Sequence, residues 1–301
     1  MPKISTYTTV TPQGNDKIIV TQTSGTPTDV TKNITIDGLK TFIKGIFPFL
    51  FNTTSLTGIQ SSGNTASGNR SIAIGESTTA SGISSTAMGV ETAASGNHST
   101  AMGESTIASG DTSTATGQST TASGNISTAM GESTTASGIS STAMGENTTA
   151  SGTSSTAMGN ETEAVGASST AMGESTTASG DYSTVMGQNT TASGESSTAM
   201  GQYNVLNTGD NPTSYDATNT AFSVGNGTSE GSRSDAFKVL FNGTTTIAGS
   251  LTSESLNVPA LNTAPASATS AGTLGSIRFT ADYIYVCVAT NTWKRVAIVT
   301  F

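Results

Sequence analysis

The sequence contains one cysteine and one histidine, and both shortages exclude classes of site. Cys287 has no second cysteine to pair with, so an intrachain disulfide framework and a cysteine-based zinc site are excluded. His98 is the only imidazole, which leaves no histidine cluster for a metal, and its place in a variable turn favours a solvated residue over a ligand contact. We therefore expect neither a metal nor a cofactor.

Long apolar runs are also missing. The most apolar short stretch covers residues 46–51, and Pro48 interrupts it, whereas a membrane-spanning helix needs about 20 apolar residues. The start of the chain, MPKISTYTTV, lacks the apolar core of a secretory signal. We expect no membrane insertion and no signal peptide.

Charged residues make up 10% of the chain and aromatic residues 5%, and both fractions are low. The 20 acidic residues outnumber the 11 basic ones and give a formal net charge of −9. Nucleic acid is not expected as a partner, because phosphate binding requires a basic surface. The apolar fraction of 33% and the 34 glycines indicate an ordered fold with a thin core of small side chains. This composition favours a structural or binding protein over an enzyme, and we expect no catalytic residues.

A repeat dominates the middle of the chain. A glycine occupies every seventh position from Gly68 to Gly201, and the residue two places before each glycine is alanine, with Val185 as the exception. Two kinds of seven-residue segment alternate, so the full unit has fourteen residues, T-T-A-S-G-x-x-S-T-A-M-G-x-x, and ten copies fit between about Ala66 and Tyr203. Self-similarity at a fixed period indicates a stack of equivalent coils.

The spacing inside each segment predicts β-strands. The Ser or Thr four places before the glycine and the Ala two places before it share one parity, which is the period of a strand rather than of a helix. We expect two short strands of about four residues in each coil, separated by turns that begin at the glycine. Alanine and hydroxyl residues then fill the interior, and ten coils about 4.8 Å apart give a rod of roughly 45–50 Å.

The opposite parity carries a methionine once per coil, immediately before the glycine. Ile74 begins this column and Thr116 interrupts it. Its methionines are Met88, Met102, Met130, Met144, Met158, Met172, Met186 and Met200. An exposed column of this kind would be a larger apolar patch than soluble monomers usually show, so we expect it to be buried against copies of the same chain as an oligomer axis. A methionine-lined face for another ligand is the alternative.

Acidic residues recur at one corner of the expected coil. They include Glu76, Glu104, Glu132, Glu146 and Glu174. Stacked carboxylates supply the oxygen ligands that Ca²⁺ takes, although solvation of the corner and protection against edge-to-edge aggregation explain the column more simply.

The repeat resembles a known family. The pattern S-x-A-x-G alternating with A-x-G at seven-residue spacing, as in SIAIG at 71–75, is similar to the YadA-like head of trimeric autotransporter adhesins. The resemblance implies an all-β fold for residues 61–205, a left-handed parallel β-roll solenoid of ten 14-residue coils. It also implies a homotrimer, with three chains about one axis, and flanking modules that are small and β-rich.

The start of the chain is similar to the virion-attachment end of phage tail-fibre proteins. Segment 30–39, VTKNITIDGL, contains a T-I-x-x-L element in which Asp37 is expected to cap a brief helix. Residues 1–60 are therefore expected to attach the trimer to a tail or baseplate protein. This resemblance implies a location in the virion, as a tail fibre or spike, or on the surface of an extracellular particle.

The remainder divides into two segments. Residues 206–262 are expected to form a β-rich neck or connector in which Asn-Gly turns end the strands. Residues 263–301 are expected to form a β-hairpin tip module after an Ala/Ser/Pro-rich linker, and they resemble small C-terminal domains of phage tail and fibre proteins. Candidate contacts with a host-surface glycan or protein are Tyr283, Tyr285, Trp293, Lys294 and Arg295, residue types that include those enriched at binding hot spots. The alternative is that these aromatics fill the core of the module.

These expectations combine into a trimeric fibre or spike that attaches a phage or phage-like particle to its host. Three alternatives remain: the head of a bacterial trimeric autotransporter-type adhesin, an ice-binding solenoid and a glycan depolymerase. Threonine columns favour ice binding, but the methionine column shares their parity on one sheet. A depolymerase needs paired carboxylates in a groove, whereas the repeat places the acids in turns.

Overall fold

The computed structural model describes residues 59–61, 63–254, 258 and 260–299, together with the backbone of three strands at 17–21, 31–35 and 49–51. Every regular element in these ranges is a β-strand. The chain divides into two compact units, residues 1–249 and 250–301. The brief helix expected after Asp37 lies outside the described residues. In the described part of the chain, no helix has the length and apolarity needed to cross a membrane.

The N-terminal strands form two antiparallel pairs. Strand β1 (Lys17–Thr21) pairs with β2 (Thr31–Thr35), and β3 (Phe49–Phe51) pairs with β4 (Ile59–Ser61). Strand β4 then runs parallel to the first long strand of the repeat region. The repeat therefore begins on an edge that is already paired.

The repeat region alternates short and long strands. They are β5 (Thr65–Ala66), β6 (Ile72–Glu76), β7 (Thr79–Ala80), β8 (Thr86–Val90), β9 (Ala93–Ala94), β10 (Thr100–Glu104), β11 (Ile107–Ala108), β12 (Thr114–Gln118), β13 (Thr121–Ala122), β14 (Thr128–Glu132), β15 (Thr135–Ala136), β16 (Thr142–Glu146), β17 (Thr149–Ala150), β18 (Thr156–Asn160), β19 (Glu163–Ala164), β20 (Thr170–Glu174), β21 (Thr177–Ala178), β22 (Thr184–Gln188), β23 (Thr191–Ala192) and β24 (Thr198–Gln202).

These strands build a parallel β-solenoid of ten coils. Each long strand pairs with the long strand fourteen residues away, and each short strand pairs with the next short strand, always in register. The short strands form one ten-stranded sheet, and the long strands form the centre of a fifteen-stranded sheet. The expected all-β solenoid of about ten 14-residue coils is confirmed.

The expected pair of equal four-residue strands is wrong, because the two strands of a coil have five and two residues. The glycine of the T-A-M-G segment does not start a turn. Gly145, for example, lies inside β16 with a φ of 124° and lets the strand continue for one more residue. The glycine of the A-S-G segment lies outside the strands, so only this glycine begins a turn.

Alanines fill the narrow interior. The alanine two places before each glycine is completely or almost completely buried, as is Val185 at the equivalent position. The Ser and Thr residues on the same parity are buried beside them. The predicted thin core of Ala and hydroxyl side chains is therefore what the coils contain.

Each glycine of the repeat lies against the next coil. A Cβ atom on Gly145 would overlap the carbonyl oxygen of Gly159, and one on Gly138 would overlap that of Gly152. Close approach of one backbone to the next therefore requires glycine in both halves of the repeat.

The second residue after each glycine adopts a left-handed conformation. Half of these residues are serine, and Ile126 and Tyr182 are among the others, with φ of 61° and 58°. From Ser84 onward the N–H of this residue donates to a carbonyl of the preceding coil, as Ile126 does to Asp111 at 2.8 Å. The regular spacing of these bonds keeps the corners aligned.

Two asparagines replace threonine at the ends of the buried threonine column. Asn64 lies fourteen residues before Thr78, and Asn204 lies fourteen after Thr190. The Asn64 side chain accepts a hydrogen bond from the Thr78 N–H at 2.7 Å. The Asn204 side chain accepts one from the Thr191 N–H and donates one to the Thr191 carbonyl, both at 2.8 Å. The side-chain amides thus bond main-chain groups at both ends of the stack.

After the last coil, three strands extend the long sheet. Strand β25 (Thr220–Asn226) runs parallel to β24, and β26 (Asp235–Leu240) and β27 (Thr245–Ile247) follow as antiparallel neighbours. Arg233 donates hydrogen bonds to the carbonyls of Asn189 and Asn204 at 2.8 and 3.3 Å. The β-rich segment after the repeat is thus continuous with the solenoid.

The second unit contains a three-stranded antiparallel sheet in the order β28 (Ile277–Phe279), β29 (Tyr283–Ala289) and β30 (Thr292–Ala297). A hairpin joins β29 to β30, and Thr292 is the first residue of β30. Asn291 in that turn has a φ of 56°.

Candidate functional site

The methionine column forms one straight ladder on the outer face of the long sheet. The strand register aligns Ile74 with the eight methionines and Thr116, and then aligns Met200 with Val224 of β25. We call this set of eleven aligned residues, from Ile74 to Val224, the apolar ladder. No methionine of the ladder is buried in the described single chain, and Met88 and Met130 are the most exposed, at 37% and 42%.

A second column runs beside the apolar ladder. Threonine occupies the position two residues before the methionine in every long strand from Thr86 to Thr198. These threonines are half-buried. The outer face of the long sheet is therefore a band of Thr methyl groups and Met side chains.

Polar side chains border this band on its other side, at the ends of the long strands, with Val90 of β8 as the exception. Glu104 lies beside Gln118, and Gln118 donates a hydrogen bond to its carboxylate at 3.4 Å. Gln188 does the same for Glu174 at 3.1 Å. The glutamates expected to form a column do so: Val90, Gln118 and Asn160 alternate with them, and Glu132 and Glu146 are direct neighbours. Within the described residues, no group of three or more acidic, His or Cys side chains has the geometry of a metal site.

At the opposite corner, Asn and Asp side chains bond the backbone of the preceding coil. The Asn97 side chain accepts a hydrogen bond from the Ile83 N–H at 3.0 Å, and Asp111 accepts one from the Asn97 N–H at 2.9 Å. Asp181 does the same for the Ala167 N–H at 2.8 Å. His98 is an exposed residue of this corner. These polar side chains serve the turns themselves.

The strand register of the second unit places Tyr283, Tyr285, Trp293 and Arg295 on one face of its sheet and Lys294 on the other. Tyr285, Cys287 and Trp293 form its buried core, and Tyr283 packs against them. The Trp293 indole N–H donates to the Ser270 carbonyl at 3.1 Å. Lys294 and Arg295 are exposed. The two most buried aromatics therefore build the module, while the cations lie at its surface.

Arg295 contacts both tyrosines of this core. Its guanidinium lies 4.2 Å from the centre of the Tyr283 ring, and it donates a long hydrogen bond, 3.5 Å, to the Tyr285 hydroxyl. This hydrogen bond raises the pKa of Arg295, and the phenol of Tyr283 adds to the effect. The guanidinium is thus held in place and fully charged.

Sequence reasoning missed Arg278. Its guanidinium lies 4.9 Å from the Trp293 ring, and the register places it opposite Tyr285 on β29. A signal for it is present in the sequence: Ile277 and Phe279 alternate with Arg278, so the arginine must share the other face of the strand. The face that holds the aromatic core thus carries two arginines, one on each side of Tyr285.

The solenoid matches a described family. The family model for the YadA head domain repeat, which spans two copies, matches residues 62–78, 66–92, 80–106, 94–120, 108–134, 136–162, 164–190 and 178–204. These matches follow the same coils that the strand pairing defines.

A short segment is similar to a phage protein. The chain is 57% identical over 37 residues to the capsule K30/K69-specific Depolymerase 1 of Klebsiella phage K5-2. The aligned part covers 12% of this chain and 5% of that protein, so the two share a segment rather than a whole architecture. The ten coils and their register agree with the repeated family matches, so the solenoid contains YadA head domain repeats between residues 62 and 204.

Proposed function

We propose that the chain is a homotrimeric tail fibre or spike that attaches a phage or phage-like particle to its host surface. The YadA head repeats and the similarity to a phage protein support an adhesin-like β-solenoid exposed on a particle surface. In this proposal the solenoid is the self-associating rod. Residues 1–60 bind a tail or baseplate protein, and residues 263–301 meet the host.

The apolar ladder is the observation that carries the proposal. It runs along all ten long strands of the repeat without a charged side chain, and the described chain does not cover it. Burying a methionine completely stabilises by roughly 1.5–3 kcal/mol before entropy losses. Because the apolar ladder has one residue per coil, it can pack in register against the same ladder of another chain. Three chains about one axis would bury every residue of the ladder.

The distribution of side chains supports separate roles for the two units. The corners of the solenoid carry Ser, Thr, Asn and Glu, whose hydrogen bonds largely serve neighbouring coils. The second unit carries the only tryptophan, at Trp293, and three of the 11 basic residues. Three copies of a weak contact in one particle gain affinity through multivalency.

Cell binding tests this function. Fluorescently labelled full-length protein is incubated with a panel of capsulated Klebsiella strains and with acapsular derivatives of the same strains, a choice that follows the similarity to the Klebsiella phage protein. The proposal expects saturable binding to a subset of strains that unlabelled protein displaces. If the protein shows saturable binding to none of the strains in the panel, attachment to this class of host is contradicted.

Capsule cleavage is the second candidate, because the relative just described is a depolymerase. We propose binding without cleavage for this chain, since the glutamates at the ends of the long strands lie in a surface column, where glutamines donate hydrogen bonds to two of them, Glu104 and Glu174. Purified capsular polysaccharide from a strain that binds the protein should release no new reducing ends. Release of reducing ends would favour the depolymerase.

A further inference from the structure

The second unit differs in charge from the rest of the chain. Residues 250–301 contain three basic residues, Arg278, Lys294 and Arg295, and two acidic ones, Glu254 and Asp282, for a net charge of +1. The whole chain has −9, so the other 249 residues carry −10. A positively charged unit in an otherwise acidic chain indicates that positive charge has a role in this unit.

The basic groups of this unit contact aromatic rings rather than carboxylates. Arg295 stacks on Tyr283 and Arg278 on Trp293, and Arg278 also donates to the Thr263 carbonyl at 3.2 Å. Within the ranges that the structure describes, no ion pair involves Lys294 or Arg295. Their positive charge is therefore not neutralised by the unit itself.

A pocket opens where these groups meet. Its volume is about 360 Å³, which lies within the usual range for small-molecule sites, roughly 300–1,000 Å³. One wall is the segment 265–268, with Pro and Ala side chains, and the other wall is Tyr285, Trp293, Lys294 and Arg295. Backbone bonds fix the first wall, because the Trp293 N–H donates to the Ala268 carbonyl at 2.8 Å.

From these observations, and resting on the proposed attachment function, we propose that this pocket binds a carboxylate-bearing sugar residue of an acidic surface polysaccharide. Arg295 is oriented by Tyr283 and Tyr285, which leaves N–H groups of its planar guanidinium for a carboxylate, the anion whose geometry it matches in bidentate fashion. Lys294 also lines the pocket, but it alternates with Trp293 and Arg295 along β30, so its side chain lies on the opposite face of the sheet and Arg295 is the cation of the site. The apolar wall at 265–268 and the edges of Tyr285 and Trp293 suit the C–H face of a sugar ring.

The charge of the rest of the chain favours binding of an anionic polymer at this site. An anionic polysaccharide is repelled by a surface with a net charge of −10 and attracted by the basic pocket, so complementary charge directs the polymer to the second unit. A neutral glycan would gain nothing from the positive charge of Arg295.

The test uses full-length protein and two polymers that differ only in charge. Polygalacturonate carries a carboxylate on every sugar, and its fully methyl-esterified form has the same backbone without charge. Binding is measured by surface plasmon resonance at low and at physiological salt. We expect binding to polygalacturonate, at least tenfold weaker binding to the ester, and an affinity that falls with salt. Equal binding to both polymers, or binding to neither, would overturn the proposal.

Variants then locate the site. Arg295→Ala should weaken polygalacturonate binding about tenfold or more, because a charge-assisted hydrogen bond is lost. Arg295→Lys should give an intermediate loss, since it retains the charge but not the planar fork. Arg70→Asn is the control: it removes one positive charge from an exposed solenoid corner and suits the left-handed backbone there, so binding should be unchanged. Equal losses in Arg70→Asn and Arg295→Ala would show non-specific attraction and overturn the assignment.

The same variants separate this inference from the proposed function. If the wild-type protein binds host cells and Arg295→Ala binds them equally well, attachment stands and the acidic-sugar pocket is wrong. If the wild-type protein binds polygalacturonate but no cell, the pocket stands and the attachment function is wrong.

Discussion

At the scale of single residues, the repeat selects side chains by the space between coils. Alanine fits inside because the two strands of a coil lie close together, and both glycines fit because a Cβ would meet the backbone of the next coil. Serine predominates at the left-handed corner although that conformation favours glycine and asparagine. Single substitutions should therefore have effects that depend on the position in the repeat.

Ala143→Leu should destabilise the solenoid by about 1–3 kcal/mol or more, because the completely buried Ala143 has no space for three further carbons. Thermal unfolding followed by circular dichroism measures the effect. Ser151→Leu is the control: it adds an identical side chain at an exposed position of the next coil and should change the melting temperature little. An unchanged melting temperature for Ala143→Leu would contradict the inward position of this column.

Ile126→Asn should stabilise the solenoid by about 1 kcal/mol. A β-branched side chain is strained at a φ of 61°, whereas asparagine adopts this conformation readily. Ile126→Val keeps the branched carbon and should leave the stability unchanged. Chemical denaturation compares the three proteins, and a gain for valine equal to that for asparagine would refute the backbone explanation.

At the scale of elements, the parity of the repeat predicts which side chains point inward but not the unequal lengths of the two strands in a coil. The alternation of Ala with Thr and Met fixes which side chains point inward and aligns the apolar ladder. It does not predict strands of five and two residues, because the extension depends on Gly145 and its equivalents continuing the strand at a φ near 124°. A glycine in a sequence is compatible with either a turn or such a continuation.

The repeat pattern also does not predict how the first and last coils are capped, because it describes only what all the coils share. Asn64 and Asn204 differ from the threonine of the inner coils because an end coil has main-chain groups without a neighbouring coil. In the candidate site, the contact residues of β29 and β30 other than Lys294 share one face, as expected from alternation. The partner of Trp293, Arg278, was missed because pairing with a third strand is not visible in the spacing.

Asn204→Thr should destabilise the protein by about 1–3 kcal/mol, although it restores the consensus of the repeat. Asn204 uses two atoms, Oδ1 to accept from the Thr191 N–H and Nδ2 to donate to the Thr191 carbonyl, whereas the shorter threonine side chain has one oxygen that cannot reach both positions, so a buried main-chain group loses its partner. Asn160→Thr, at the partly exposed end of a long strand, is the matched control and should have little effect. Equal melting temperatures for the two variants would argue against an end cap at Asn204.

Thr148→Val should raise the stability by about 1 kcal/mol. The buried Thr148 hydroxyl has no hydrogen-bond partner within the described coils, so a methyl group of similar size removes a desolvated polar atom. Thr149→Val, at the adjacent and partly exposed first residue of β17, should be close to neutral. Differential scanning calorimetry measures both; a loss of stability in Thr148→Val would mean that the hydroxyl is bonded in solution.

At the scale of the whole molecule, a single chain leaves much of its apolar surface exposed, and we expect several chains to associate. A core built from alanine and hydroxyl side chains buries little apolar area, and the larger side chains of the repeat lie on the outer face of the long sheet. In the proposed trimer, association along the apolar ladder would supply the missing burial and would present three copies of the basic second unit.

The mass of the full-length protein in solution tests this central claim most directly. Light scattering after size-exclusion chromatography should give three times the 30.0 kDa chain, about 90 kDa. Met144→Glu combined with Met158→Glu, which places charges in the apolar ladder, should shift the mass toward 30.0 kDa. Ser137→Glu combined with Ser151→Glu adds the same charge at exposed positions away from the ladder and should leave the trimer intact. A folded wild-type protein with a mass of 30.0 kDa would contradict the account.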